Sequence, residues 1–117
     1  MRQALEADRK AFDGMTRVLD EIELERRRQV EEEGWTPRHD DQHARGEMAA
    51  AAYCYIGEVC WRRDHPDAGR CDLPPPDWPW SREWWKPKGD RRNLVRAAAL
   101  IVAEIERTDR EEARQCG

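Results

Sequence analysis

Hydrophobic positions along the chain fall into three periodic stretches separated by polar and proline-rich segments. Over 1–33, Leu5, Phe12, Met15, Leu19 and Ile22 recur at spacings of three, four and seven, which lays one apolar stripe along a helix. Asp13 and Gly14 mark a place where that helix would divide in two. Carried forward, the stripe brings Arg26, Gln29 and Glu33 onto positions where apolar residues are expected. Either the helix end leaves the core and is solvated, as Arg27, Arg28, Glu31 and Glu32 would be, or Arg26, Gln29 and Glu33 face a polar cavity. Gly34 is placed to end this helix in a left-handed conformation, Pro37 to prevent an immediate restart, and Trp35 to pack back over the helix end.

A second helix is expected from 41 or 44 to 62, with Met48, Ala52, Tyr55, Ile56 and Val59 on its core face and small residues over 49–52 that allow close approach to a neighbour. A third begins after Asp90, read as its N-cap, and runs to about 113 with Leu94, Val95, Ala98, Ile101, Val102 and Ile105 facing the core. No segment alternates at period two, which argues against a sheet. The expected architecture is therefore all-α: a small three- to four-helix bundle in one domain. Its pieces are a helix region at 1–33, a polar loop at 34–43, a helix at 44–62, a long Pro/Trp-rich crossover loop at 63–89 and a helix at 90–113.

Composition changes this picture in two ways. A mean hydropathy of −1.08 with 39% charged residues would suggest disorder if the apolar residues were scattered, and their clustering removes that reading. The net charge of −4 comes from basic and acidic residues mixed along the chain, so no uniformly basic face is offered to duplex nucleic acid. No apolar run approaches the ~20 residues of a membrane span, and charges stand where a signal peptide would be apolar, so a soluble, cytoplasmic protein without a membrane partner is expected. Cys54, Cys60, Cys71 and Cys116 are irregularly spaced, which makes free thiols the default. The His39 and His43 spacing suits a zinc pair that Cys60 and Cys71 would complete, but the usual close Cys pair is missing, and no metal or cofactor is assigned.

Candidate chemistry concentrates in two places. Residues 33–47 hold Trp35, His39, Asp40, Asp41, His43 and Glu47, more imidazole, carboxylate and indole than a connecting loop needs. A site there lies at a helix N-terminus, where backbone N–H groups attract anions. The 63–89 segment carries six of the seven prolines and four of the six tryptophans, Trp78, Trp80, Trp84 and Trp85. Those indoles either form a satellite core over the helix ends or stack on a flat ligand while Arg82, Lys86, Lys88 or Arg91 meets its phosphates. The candidate ligand-binding set is Arg26, Gln29, Trp35, His39, Asp40, Asp41, His43, Glu47, Trp80, Trp85, Lys86 and Arg91, with no catalytic residue assigned.

The ordered residues Glu25, Arg26, Gln29, Glu33, Gly34, Trp35, Thr36, His39, Asp40, Asp41, His43, Gly46 and Glu47, then Trp78-Pro79-Trp80, Trp85-Lys86-Pro87 and Leu94 to Arg107, resemble a family of short, mostly uncharacterised proteins encoded by phages and prophages. The likeness spans roughly 18–110, and a looser one, over 26–43, is to RyR-type domains. Small phage proteins include inhibitors of host defence, among them sponges that hold cyclic-nucleotide or ADP-ribose-derived immune signals. The resemblance implies such a role in the host cytoplasm: a binder of a nucleotide-derived small molecule that needs neither nucleophile nor metal. Two alternatives stand beside it. One is a metal-dependent nucleotide phosphohydrolase using Glu32, Glu33, Asp40, Asp41 and Glu47 as oxygen ligands with His39 or His43 as base, although Gln29 stands where a paired carboxylate is required. The other is a protein-binding inhibitor whose Trp loop anchors in a host enzyme. A homo-oligomer is also expected, because an Ala-rich helix and a modest core gain from a partner.

Overall fold

A computed structural model describes residues 2–68 and 73–117, with the side chains of 2–4 outside that description. Among the described residues four helices follow one another: α1 (Arg2–Glu31), α2 (Pro37–Asp41), α3 (Glu47–Asp64) and α4 (Asp90–Cys116), with a 3₁₀ turn at Arg82–Trp84. Among the described residues there is no strand, and the fold is all-α. No described helix is long and apolar enough to cross a membrane.

The helix ends follow local chemistry. α1 runs unbroken through Asp13 and Gly14. It stops where Gly34 takes a left-handed φ of 76° and Trp35 N–H turns back to the Gln29 carbonyl at 3.0 Å. Pro37 does not delay the next helix as expected. It begins α2, because proline lacks only a donor that the first turn leaves unpaired, and the Thr36 hydroxyl accepts from His39 N–H. Gly46, also left-handed at φ 82°, precedes α3. At α4 the expected Asp90 cap is inside the helix, and Asn93 does the capping work: its side-chain oxygen accepts from Lys88 N–H at 2.7 Å and its amide donates to the Lys88 carbonyl.

The core lies between α3 and α4 and is closed by the Trp loop. Met48, Ala51, Ala52, Cys54 and Tyr55 of α3 meet Ala97, Leu100 and Ala103 of α4, and Trp35, Trp78 and Trp85 seal the layer. Small residues on both helices permit this approach, as the alanine run of α3 suggests.

The burial of the large aliphatic residues differs from expectation. Leu5, Phe12, Met15 and Leu19 on α1 and Leu94, Ile101, Val102 and Ile105 on α4 are exposed, as is Ile56 on α3. Of the anticipated α4 face Val95 alone is buried and Ala98 half-buried. α4 instead buries Ala97, Ala99, Leu100 and Ala103 together with Asn93, Arg96 and Arg107. Periodicity identified amphipathic helices correctly, but the chain packs α4 through its small-residue side and sends half of α1 beyond its own body.

Candidate functional site

The turn from α1 through α2 into α3 brings the polar residues of 33–47 together. Arg26, late in α1, donates to the Trp35 carbonyl at 2.8 Å and to Asp40 Oδ2 at 2.6 Å. Asp40 is almost wholly buried, at 1% exposure, so this pair is an internal staple that fixes α2 against α1. The other Asp40 oxygen faces His39 Nδ1 at 3.3 Å. His39 Nε2 meets His43 Nε2 at 3.1 Å, and His43 Nδ1 meets Glu47 Oε2 at 2.9 Å. The remaining Glu47 oxygen accepts from Arg45 N–H. The result is a continuous relay from Arg26 through Asp40, His39 and His43 to Glu47. With each Nδ1 turned to a carboxylate, the two Nε2 atoms have room for one proton between them.

The imidazoles form one wall of a cavity of about 470 Å³, shared with Glu33, Trp35, Pro79, Trp80, Ser81 and Trp84. That volume is in the range of small-molecule sites. The His39 ring lies 11° from parallel with Trp35, and Trp80 and Trp84 sit 5.0 and 6.3 Å from Trp35 between ring centroids. Trp80 turns its plane against His43 at 70°. Lys86 Nζ stands 5.4 Å from the Trp84 ring centroid and 3.8 Å from Glu33 Oε2. Arg28 also holds Glu33, at 3.0 Å.

Behind this cavity is a polar interior. Glu25, Gln29 and Asn93 are buried, and Glu25 receives Arg28, Arg92 and Gln29. Burial alone would raise the Glu25 carboxyl, but Arg28, Arg92 and Gln29 outweigh it and hold it below the ordinary range. Gln29, Glu33, Tyr55, Trp84 and Arg96 border a void of about 10 Å³ there, near the size of one water, and Gln29 Oε1 has no partner among the described residues.

The twelve candidate residues therefore divide by position. Trp35, His39, His43 and Trp80 line the cavity. Asp40 and Glu47 hold the imidazoles, Arg26 braces Asp40, and Lys86 meets Trp84 and Glu33 and borders the interior void. Gln29 faces the small interior void. Trp85 is a core residue, stacked on Tyr55 at 5.0 Å and set edge-on to Trp78. Asp41 ties α2 to the end of α4, and Arg110 first and Arg114 second hold its carboxyl below the ordinary range. Arg91 pairs with Glu21 through two contacts at 2.6 Å. Trp84, Glu33, Pro79 and Ser81 join the cavity without having been in the candidate set. Glu33 lay on the extended α1 stripe, Trp84 in the Trp-rich run and Pro79 within Trp78-Pro79-Trp80, so all three carried a signal, whereas Ser81 carried none.

A larger cavity of about 520 Å³ is lined by Tyr53, Cys54, Gly57, Glu58, Trp61, Leu73, Pro74, Pro75 and Asp77. Among its described lining residues there is no imidazole of the kind that gives the first cavity its chemistry. Among the described residues no three His, Cys, Asp or Glu side chains converge as metal ligands. Of the zinc set suggested by spacing, His39 and His43 are together, Cys60 is exposed on α3, and Cys71 lies outside the described residues.

Compared with protein families, curated proteins and solved structures, the chain shows no match. Fold and geometry together define an all-α protein with a tryptophan- and histidine-walled cavity of small-molecule size.

Proposed function

We propose that this cavity binds a nucleotide-derived small molecule, of cyclic-nucleotide or ADP-ribose type, and sequesters it without turning it over, as a phage counter-defence protein in the cytoplasm of a host cell. The observation that carries the reading is the convergence of Trp35, Trp80 and Trp84 with His39 and His43 on one space of about 470 Å³. Indole faces stack on a base regardless of its sequence identity, and a stacked base contributes about 1–3 kcal/mol. The imidazole rings, their nitrogens engaged in the relay, add flat wall beside the indoles, and Lys86, next to Trp84, offers a cation to phosphate.

Sequestration fits better than hydrolysis because the nearby carboxylates are already engaged. Arg26 occupies Asp40, Arg110 and Arg114 occupy Asp41, Arg28 and Lys86 occupy Glu33, and His43 and Arg45 N–H occupy Glu47. Binding a divalent ion through them would break those pairs.

The test is tryptophan fluorescence against cyclic dinucleotides, NAD, ADP-ribose derivatives and dNTPs, with and without magnesium, followed by denaturation and chromatography of the released molecule. Quenching with the ligand recovered intact is expected. Metal-dependent conversion of the ligand overturns sequestration, and silence across the panel overturns the nucleotide reading.

A further inference from the structure

The polypeptide exposes more surface than a compact chain of its mass. Its accessible surface is 8332 Å² at 13.8 kDa, against about 6,600 Å² for a folded monomer of that mass. The radius of gyration is 16.9 Å, where about 13 Å is expected for a compact domain of this length. The extents, 51 × 51 × 23 Å, describe a flat body. Much of the excess is apolar and ordered in stripes. On α1, Phe12 (63% exposed), Met15 and Leu19 (56%) continue the very face that buries Gln29 further along the same helix. On α4, Leu94, Ile101 and Ile105 (55%) repeat at seven and four on the side opposite Ala103.

We infer that these stripes are the contact surface for a second copy of this chain. The excess of about 1,700 Å² is what one protomer contributes to an obligate homodimer, whose interfaces bury roughly 2,000–5,000 Å² in total. Charge points to the same occupant. Asp8, Asp13 and Asp20 alternate with Arg9, Lys10 and Arg17 along the exposed half of α1. A strip with both signs interspersed complements a copy of itself across a two-fold axis. It lacks the basic polar face with which an interfacial helix meets anionic lipid. The N-terminal half of α1 thus acts as an arm that completes its packing on its partner, which explains why a heptad-like stripe stands in water in one chain.

Sedimentation equilibrium of the full chain from 1 to 100 μM, beside the Phe12→Glu variant, tests this. The expected result is a mass of two or more chains for the wild type and one chain, near 14 kDa, for the variant, with unchanged Trp78 and Trp85 core fluorescence. Met15→Lys, on the same face, serves if Phe12→Glu is not recovered folded. A wild-type mass of one chain across the range overturns the second copy. A folded variant that still sediments with the wild type overturns the surface, and a one-chain wild type that floats with anionic vesicles assigns the stripe to a membrane instead.

Discussion

Replacing Arg26 with alanine should cost this protein a large part of its stability, because the partner left behind cannot reach water. Asp40 is 1% exposed, and Arg26 meets it at 2.6 Å while also holding the Trp35 carbonyl at 2.8 Å. Truncating one member of a buried pair strands an uncompensated charge, at about 3–5 kcal/mol. For a chain of this size, each kcal/mol moves the melting temperature by about 4 °C, so Arg26→Ala should melt roughly 12–20 °C below the wild type. Asp40→Ala leaves the guanidinium less stranded, since the Arg26 side chain is 12% exposed and has Glu106 at 4.0 Å, and it should cost less. The double variant should fall short of the sum of the two, because the second removal relieves the charge that the first one stranded. Differential scanning calorimetry of the four proteins closes the cycle. If Arg26→Ala melts within a few degrees of the wild type, Asp40 is hydrated and the staple is not what holds α2 in place.

Three further outcomes follow from the same geometry. Trp85→Ala, which empties core volume between Tyr55 and Trp78, should lose about 3–5 kcal/mol in denaturant unfolding; Trp84→Ala at the cavity edge should lose less stability and most ligand affinity, and equal effects of the two on stability would contradict the division of the indoles. Glu25 and Asp41 both titrate below their ordinary values in the folded chain. The stability they give is complete above the unfolded values of about 4 and is lost as pH falls through the folded ones, so the melting temperature should drop as pH falls below about 4, and a rise on acidification would refute the pairing. Burial first, then Asp77, pushes the Cys54 thiol up to about 11, so iodoacetamide at pH 8 should alkylate exposed Cys60 and Cys116 and spare Cys54 until the chain unfolds, which peptide mass spectrometry reads directly.

Much of the fold could be read from residue order because its signals are local. Apolar spacing marked three helices, Gly34 marked the end of α1, and proline density marked the crossover. What could not be read is which side of each helix meets the rest of the same chain. Leu94, Ile101 and Ile105 look like a core face by periodicity, yet α4 packs through Ala97, Leu100 and Ala103, because small residues allow α3 to approach closely. The polar interior was also hidden. Glu25, Asn93, Arg96 and Arg107 belong to residue types that usually face water, and burial is tolerable because each finds its own partners: Arg28, Arg92 and Gln29 for Glu25, the Lys88 backbone for Asn93, the Lys86 carbonyl for Arg96, and Glu104 with Glu111 for Arg107. At the candidate site, the cluster of His39, Asp40, His43 and Glu47 was visible as a composition, but the relay through their nitrogens and oxygens depends on α2 starting at Pro37. The choice of Trp84 over Trp85 for the cavity depends on one 3₁₀ turn, at Arg82–Trp84, that proline density concealed.

The most direct test of the account is equilibrium dialysis of radiolabelled ADP-ribose and of a cyclic dinucleotide against the wild type, Trp84→Ala and Glu21→Ala, the last a residue remote from the cavity and paired with Arg91. Saturable binding of at least one probe by the wild type and Glu21→Ala, lost by ten-fold or more in a folded Trp84→Ala, is the predicted result. Binding of neither probe, or binding that Trp84→Ala leaves intact, contradicts the assignment of this cavity to a nucleotide-derived ligand.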